Sequence, residues 1–155
     1  MIRVGKAEEI DALKYDENWL IVRKPQSIPD FVKHEALLSP SPELFRIYRK
    51  AYYAGLYDQT FFDQVYVPQF IEELSQNEEA LFVLRKLVSM SMEKDILLTC
   101  YCQLESMCHR SIIAGILLGM GASIETEDAY GKYFEMLIEV MRKKACSAHR
   151  KGGDL

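Results

Sequence analysis

Apolar and polar positions along the chain alternate between strand-like blocks and helix-like spacings. Trp19-Leu20-Ile21-Val22 is a compact apolar block of strand formers, and Pro25 stops it. Ile96 to Cys102 is apolar on both faces, as a strand buried inside a parallel sheet has to be. Ala122 to Glu125 is a third, shorter strand. Elsewhere apolar residues return at helical intervals. Ser41-Pro42-Glu43 supplies a Ser cap, a first-position Pro and an acid in the first turn, predicting a helix to about Tyr53 that stops at Gly55. A second helix is predicted over Gln59–Val65. Pro68 opens a third, to about Leu74. Asn77-Glu78-Glu79 starts a fourth, with Leu81, Leu84, Leu87 and Val88 on one face. Two more helices follow. One runs from Cys108 to Met120 and is closed by Gly121; the other runs from Asp128 to Ala148 and buries Tyr130, Phe134, Leu137, Ile138 and Met141. Gly115 and Gly119 inside the first of these are expected to let it pack closely on the sheet. The N-terminal stretch suggests a short helix near Glu8–Lys14. The Pro-broken loop of residues 24–42 has room for one helical turn near Val32–Leu37.

This order predicts a small three-layer α/β domain spanning 1–155. It would be Rossmann-like, with a mostly parallel sheet flanked by helices. Trp19–Val22 and Ile96–Tyr101 should be neighbours in the sheet. The core should include Leu20, Val22, Leu84, Leu97, Leu98, Ile113, Ile116, Leu117, Leu137 and Ile138. Ligands of such sheets sit beyond the carboxyl ends of the strands. The two main strands run into Arg23 and into the segment from Cys102 to Ser111.

Composition narrows the setting. With 155 residues, about half of them apolar, the chain suits one core rather than a disordered segment. A formal net charge of −4 argues against a nucleic-acid binder. The basic residues Arg142, Lys143, Lys144, Arg150 and Lys151 read as complements to a helix C-terminus. Arg3, Lys6, Glu8 and Glu9 interrupt the first apolar residues, so no signal-peptide core forms. The longest apolar run, Ile112–Ala122, is well short of the ~20 residues needed to cross a bilayer. A cytoplasmic protein away from the membrane is expected, with its four cysteines as thiols.

Three of those cysteines, Cys100, Cys102 and Cys108, lie within nine residues, followed directly by His109 and Arg110. Cys100 and Cys102 are two apart on a strand and share a face. Cys108, His109, Arg110 and Ser111 begin the next helix, where free N–H groups and a fixed guanidinium make a seat for phosphate or carboxylate. The same field favours a Cys108 thiolate, with His109 as its base. Each residue also has a structural reading. Cys100 and Cys102 can be core, His109 can bond a carbonyl, Arg110 can tie to a carboxylate such as Glu105, and Ser111 is a good helix-start residue. A phosphatase loop needs five residues between Cys and Arg, which neither Cys102 nor Cys108 provides. Zinc cysteine pairs are usually separated by two to four residues, against one here, so no metal or other cofactor is expected.

The run Leu97-Leu98-Thr99-Cys100-Tyr101-Cys102, followed by a short loop and Cys108-His109-Arg110-Ser111, resembles the signature of the domain of unknown function 488 family. Leu20-Ile21-Val22-Arg23 is similar to that family's first strand. Ser39-Pro40-Ser41-Pro42-Glu43-Leu44, Phe62–Tyr66 and Glu72-Glu73-Leu74 resemble its YeaO-like branch. Val22 stands where that family has an acid, and Lys24-Pro25-Gln26-Ser27 replaces a Trp-Pro-Arg-Gly segment. The resemblance covers about Trp19 to Ser123. It implies a compact α/β fold and no particular activity. Three functions stay open: a site for a small anionic ligand or nucleotide built from Arg23, Cys102, Arg110 and Ser111, with Cys108 and His109 as catalytic pair; a metal or redox module of clustered cysteines; and a non-catalytic interaction domain. Oligomeric state is not legible.

Overall fold

The computed structural model describes residues 1–152. Five parallel strands form one sheet in the order β3-β2-β4-β1-β5. They are β1 (Ile2–Lys6), β2 (Glu17–Leu20), β3 (Val32–His34), β4 (Ile96–Cys100) and β5 (Ile124–Glu125). Six helices surround the sheet: α1 (Pro42–Tyr53), α2 (Gln59–Phe61), α3 (Val67–Ser75), α4 (Glu78–Met90), α5 (His109–Gly119) and α6 (Lys132–Lys151). The expected three-layer α/β fold is what forms. Trp19 sits beside Leu98 and Leu20 beside Thr99, so the two apolar strands are neighbours as predicted. All five residues of β4 are buried, which is why that stretch has no polar face.

One strand lies where no element was expected, ahead of the helix expected near Glu8–Lys14, and another lies where a helical turn was expected. Ile2–Lys6 is a strand that pairs with β4 over its whole length, and only a short 3-10 turn, Ala7–Glu9, follows it. Only Ile2 and Gly5 of this strand are buried, so its composition carries no clear period. Val32–His34 is likewise a strand, held along β2, and Ala36–Leu38 is a 3-10 turn. β4 stops at Cys100, short of the expected Cys102.

Predicted caps are in place. Ser41 and Asn77 side chains accept from the backbone amides of Leu44 and Ala80, and Gly55 and Gly121 take positive φ behind α1 and α5. Between α2 and α3 the chain forms a π-helical turn, Phe62–Tyr66. Pro68, lacking an N–H, cannot continue a regular i→i−4 ladder, and the wider turn absorbs that gap.

The glycines of α5 face a helix rather than the sheet. A Cβ on Gly115 would lie 1.9 Å from the Tyr130 carbonyl oxygen, and one on Gly119 would lie 2.2 Å from Phe134 Cγ. They let α6 and the turn before it press against α5. Nine of the ten expected core residues are buried; Ile138 is half-exposed, and Met141 faces solvent, because α6 buries Tyr133 and Leu137 instead. Among the described residues, no helix is long and apolar enough to cross a membrane.

Candidate functional site

The chain leaves β2 at Leu20 and β4 at Cys100 side by side, and both exits are pinned. Ile21 N–H donates to the Thr99 carbonyl, and Gln26 N–H to the Tyr101 hydroxyl, at 2.9 and 2.8 Å. Beyond these carboxyl ends opens a cavity of about 430 Å³. This is the place a parallel α/β sheet offers a ligand. Its walls are aromatic: Phe45 and Tyr48 from α1, Tyr57 from the following loop, and Tyr66 from the π-helical turn. Tyr48 meets Tyr57 edge-on at 4.7 Å between ring centroids, and the Tyr57 hydroxyl donates to the Met107 carbonyl at 2.6 Å. Burial pushes the phenols of Tyr48, Tyr57 and Tyr66 above their ordinary range, Tyr48 to about 12.

The cavity floor carries sulfur. Cys100, Cys102 and Cys108 all line it, and their three Sγ atoms lie within 4.8 Å of one another. Cys100 Sγ and Cys108 Sγ are 3.0 Å apart. They converge because the loop after Cys102, through the 3-10 turn Glu105–Met107, brings Cys108 back over the end of β4 in extended conformation. Ionised, the three thiols could share one soft metal ion. Cys102 is the half-buried member; Cys100 and Cys108 are buried. Hydrogen bonds from Cys100 and Cys108 hold the Cys102 thiol well below its ordinary value, helped by the field of Arg110. Burial, then hydrogen bonding with Cys100, pushes Cys108 up.

His109 Nε2 lies 2.6 Å from the Ile21 carbonyl, an acceptor only, so Nε2 carries the proton. Nδ1 then offers its lone pair to Cys108 Sγ, 3.5 Å away. Burial pushes the imidazole down and keeps it neutral.

The predicted residues divide into two groups. Arg23, Cys102, Cys108 and His109 line the cavity together. Arg110 and Ser111 do not. Arg110 is 1 % exposed and donates to the Gly5 carbonyl, while its Nε has no partner. Glu105, the carboxylate expected as its tie, is not within ion-pair distance. The Ser111 hydroxyl donates to the Cys108 carbonyl at 2.8 Å, a helix-start bond.

Cations come from the predicted Arg23 and from two residues that sequence reasoning passed over, Lys24 and Arg49. Arg23, Lys24 and Arg49 ring the mouth, and among the described residues none has a carboxylate within ion-pair distance. Arg23 is oriented by an Nε–H bond to the Pro40 carbonyl at 2.8 Å, which leaves its terminal nitrogens free of protein partners. Arg49 lies over the rings of Phe45 and Tyr53. The signal in the sequence was the spacing of Phe45, Tyr48, Arg49 and Tyr52, which repeats at one helical turn on α1.

A sequence model of the active DUF488-N3 subclade matches residues 11–121. The chain belongs to the DUF488 family. The DUF488 segment runs from before β2 to the end of α5 and so contains every residue of the cavity. The subclade matched is N3, and the YeaO-like features gain no support from it. No curated protein and no solved structure matches the chain.

Proposed function

We propose that this DUF488 protein binds a small organic anion with a ring-bearing body in the cavity beyond β2 and β4, and that Cys102 meets the ligand at its floor. One observation carries the reading: three cations with no carboxylate in ion-pair range among the described residues, Arg23, Lys24 and Arg49, ring one cavity in a chain whose net charge is −4. Isolated positive charges at an apolar mouth attract a carboxylate or phosphate, and the aromatic walls take up the rest of the molecule. A thiol held low in pKa and open to that space is a nucleophile, with the buried Cys108–His109 pair behind it. The description of the matched subclade as active favours chemistry over simple storage.

The test is a thermal-shift screen with phosphorylated and carboxylated metabolites, because a ligand of the folded state raises the melting temperature by mass action. A member of the panel is expected to stabilise the protein. Arg23→Ala and Arg49→Ala should each weaken that ligand about tenfold or more, the scale of one hydrogen bond to a charged group. Failure of every anion, or undiminished affinity in both variants, rejects the reading.

A further inference from the structure

The three sulfurs can do something besides meeting a ligand singly. We propose that Cys100, Cys102 and Cys108 form a three-thiolate site for one soft divalent metal ion, Zn²⁺ in the first instance, with its fourth coordination position open to the cavity.

The distances come first. A Zn–S bond of about 2.3 Å in tetrahedral geometry sets ligand sulfurs about 3.8 Å apart. The three Sγ atoms are close enough for that: Cys100 and Cys108 are 3.0 Å apart, and no pair is more than 4.8 Å apart. The close spacing of Cys100 and Cys102 in the chain is no obstacle, because the return of Cys108 supplies the third corner from another element. All three side chains face the same cavity, so the open position points where a small molecule can reach it. Three protein ligands and one free position is the pattern of zinc sites that do chemistry rather than only hold a fold.

An independent observation concerns charge. Arg110 is a buried guanidinium with an unpartnered Nε and, among the described residues, no carboxylate in ion-pair range. Burying such a charge is costly unless an anion offsets it. Its field falls on Cys100 and Cys102. Three thiolates around a divalent ion carry a net charge of −1, and Arg110 balances it. In the metal-free protein the Cys102 thiolate is the group that offsets the guanidinium.

Binding involves no electron transfer. Each S–H bond that is intact breaks heterolytically, its electron pair goes to the metal, and the proton leaves to buffer. His109 Nδ1 at Cys108 Sγ is positioned to take up the Cys108 proton on the way.

The inference shares the floor cysteines with the ligand reading, and the experiment separates them. Reduced, chelator-treated protein is titrated with Zn²⁺, and in parallel with Co²⁺, whose thiolate charge-transfer and tetrahedral d–d bands report the ligand set. One equivalent should bind, with proton release. Cys102→Ser, at the half-buried position, should weaken binding at least about a hundredfold, and Cys108→Ser likewise. Cys146→Ser, on exposed α6, should bind like the parent. Arg49→Ala should keep the metal while losing the anion. If the folded protein binds no metal, keeps its affinity in Cys102→Ser, or loses two thiols as a Cys100–Cys108 disulfide in place of metal uptake, the metal site is wrong. The anion reading then stands or falls on its own screen.

Discussion

At the scale of single residues, exposure sorts the cysteines. Cys146 is exposed, Cys102 half-buried, and Cys100 and Cys108 are buried. Alkylation of the metal-free protein followed by mass spectrometry should mark Cys146 and Cys102 within the native state. Cys100 and Cys108 should be marked only on unfolding, because their sulfurs are out of reach and Cys108 is held protonated. The sign for Cys102 follows from its lowered pKa: its labelling rate should stay high as pH falls below neutrality. Equal labelling of all three cavity thiols would contradict the packing. Arg110 makes a second residue-level case. Arg110→Ala leaves the buried Gly5 carbonyl without its side-chain donor and opens a void, so a loss of about 3 kcal/mol is expected in denaturant titrations. Anion affinity measured on the folded fraction should be unchanged, because the guanidinium does not line the cavity.

Elements explain how the site is held open. α5 is buried along nearly its whole length, and its early residues, Cys108 to Ser111, are fixed by bonds to β1, to the chain leaving β2 and to one another. The far end of α5 is anchored by α6 through the missing side chains of Gly115 and Gly119. Gly115→Ala pushes a methyl into the Tyr130 carbonyl, a backbone atom that cannot swing aside, whereas Gly119→Ala meets the Phe134 ring. Overpacking of this kind costs about 1–3 kcal/mol. Both are expected at the upper end, because Gly119→Ala meets Phe134 Cβ at 2.3 Å as well as the ring, and a Cβ cannot rotate away. Equilibrium unfolding of both variants checks this; two neutral substitutions would mean that α6 is not seated as described.

The whole molecule places three phenols around one apolar space, and this has a pH signature. Tyr48, Tyr57 and Tyr66 are all pushed up, burial being the first cause. A group whose pKa is raised on folding contributes stability that is complete below its unfolded value of about 10 and is lost as pH rises toward the folded value. Absorbance titration of the nine tyrosines should therefore show a late fraction that appears together with alkaline unfolding. Tyr66→Phe should shrink that late fraction. A single transition for all phenols would show that the cavity is open to water in solution.

Local chemistry determined much of this in advance. The apolar blocks at Trp19 and Ile96, the Ser41 and Asn77 caps and the glycine stops need only near neighbours, so they are legible from the chain alone. The position of the Cys-His-Arg run just beyond β4 was legible for the same reason. β1 and β3 were not legible, because short strands with mixed faces owe their form to partners 94 and 14 residues away along the chain, Ile96 for Ile2 and Asn18 for Val32. Nor was the division of the site: that Arg110 turns toward Gly5 while Arg23, Lys24 and Arg49 gather at one mouth depends on how β2, α1 and the loop after β4 meet. Residue order sets which groups are available. Only packing of distant segments decides which of them face the same few ångströms of space, since burial and field depend on what lies across the cavity, not on what comes next in the chain.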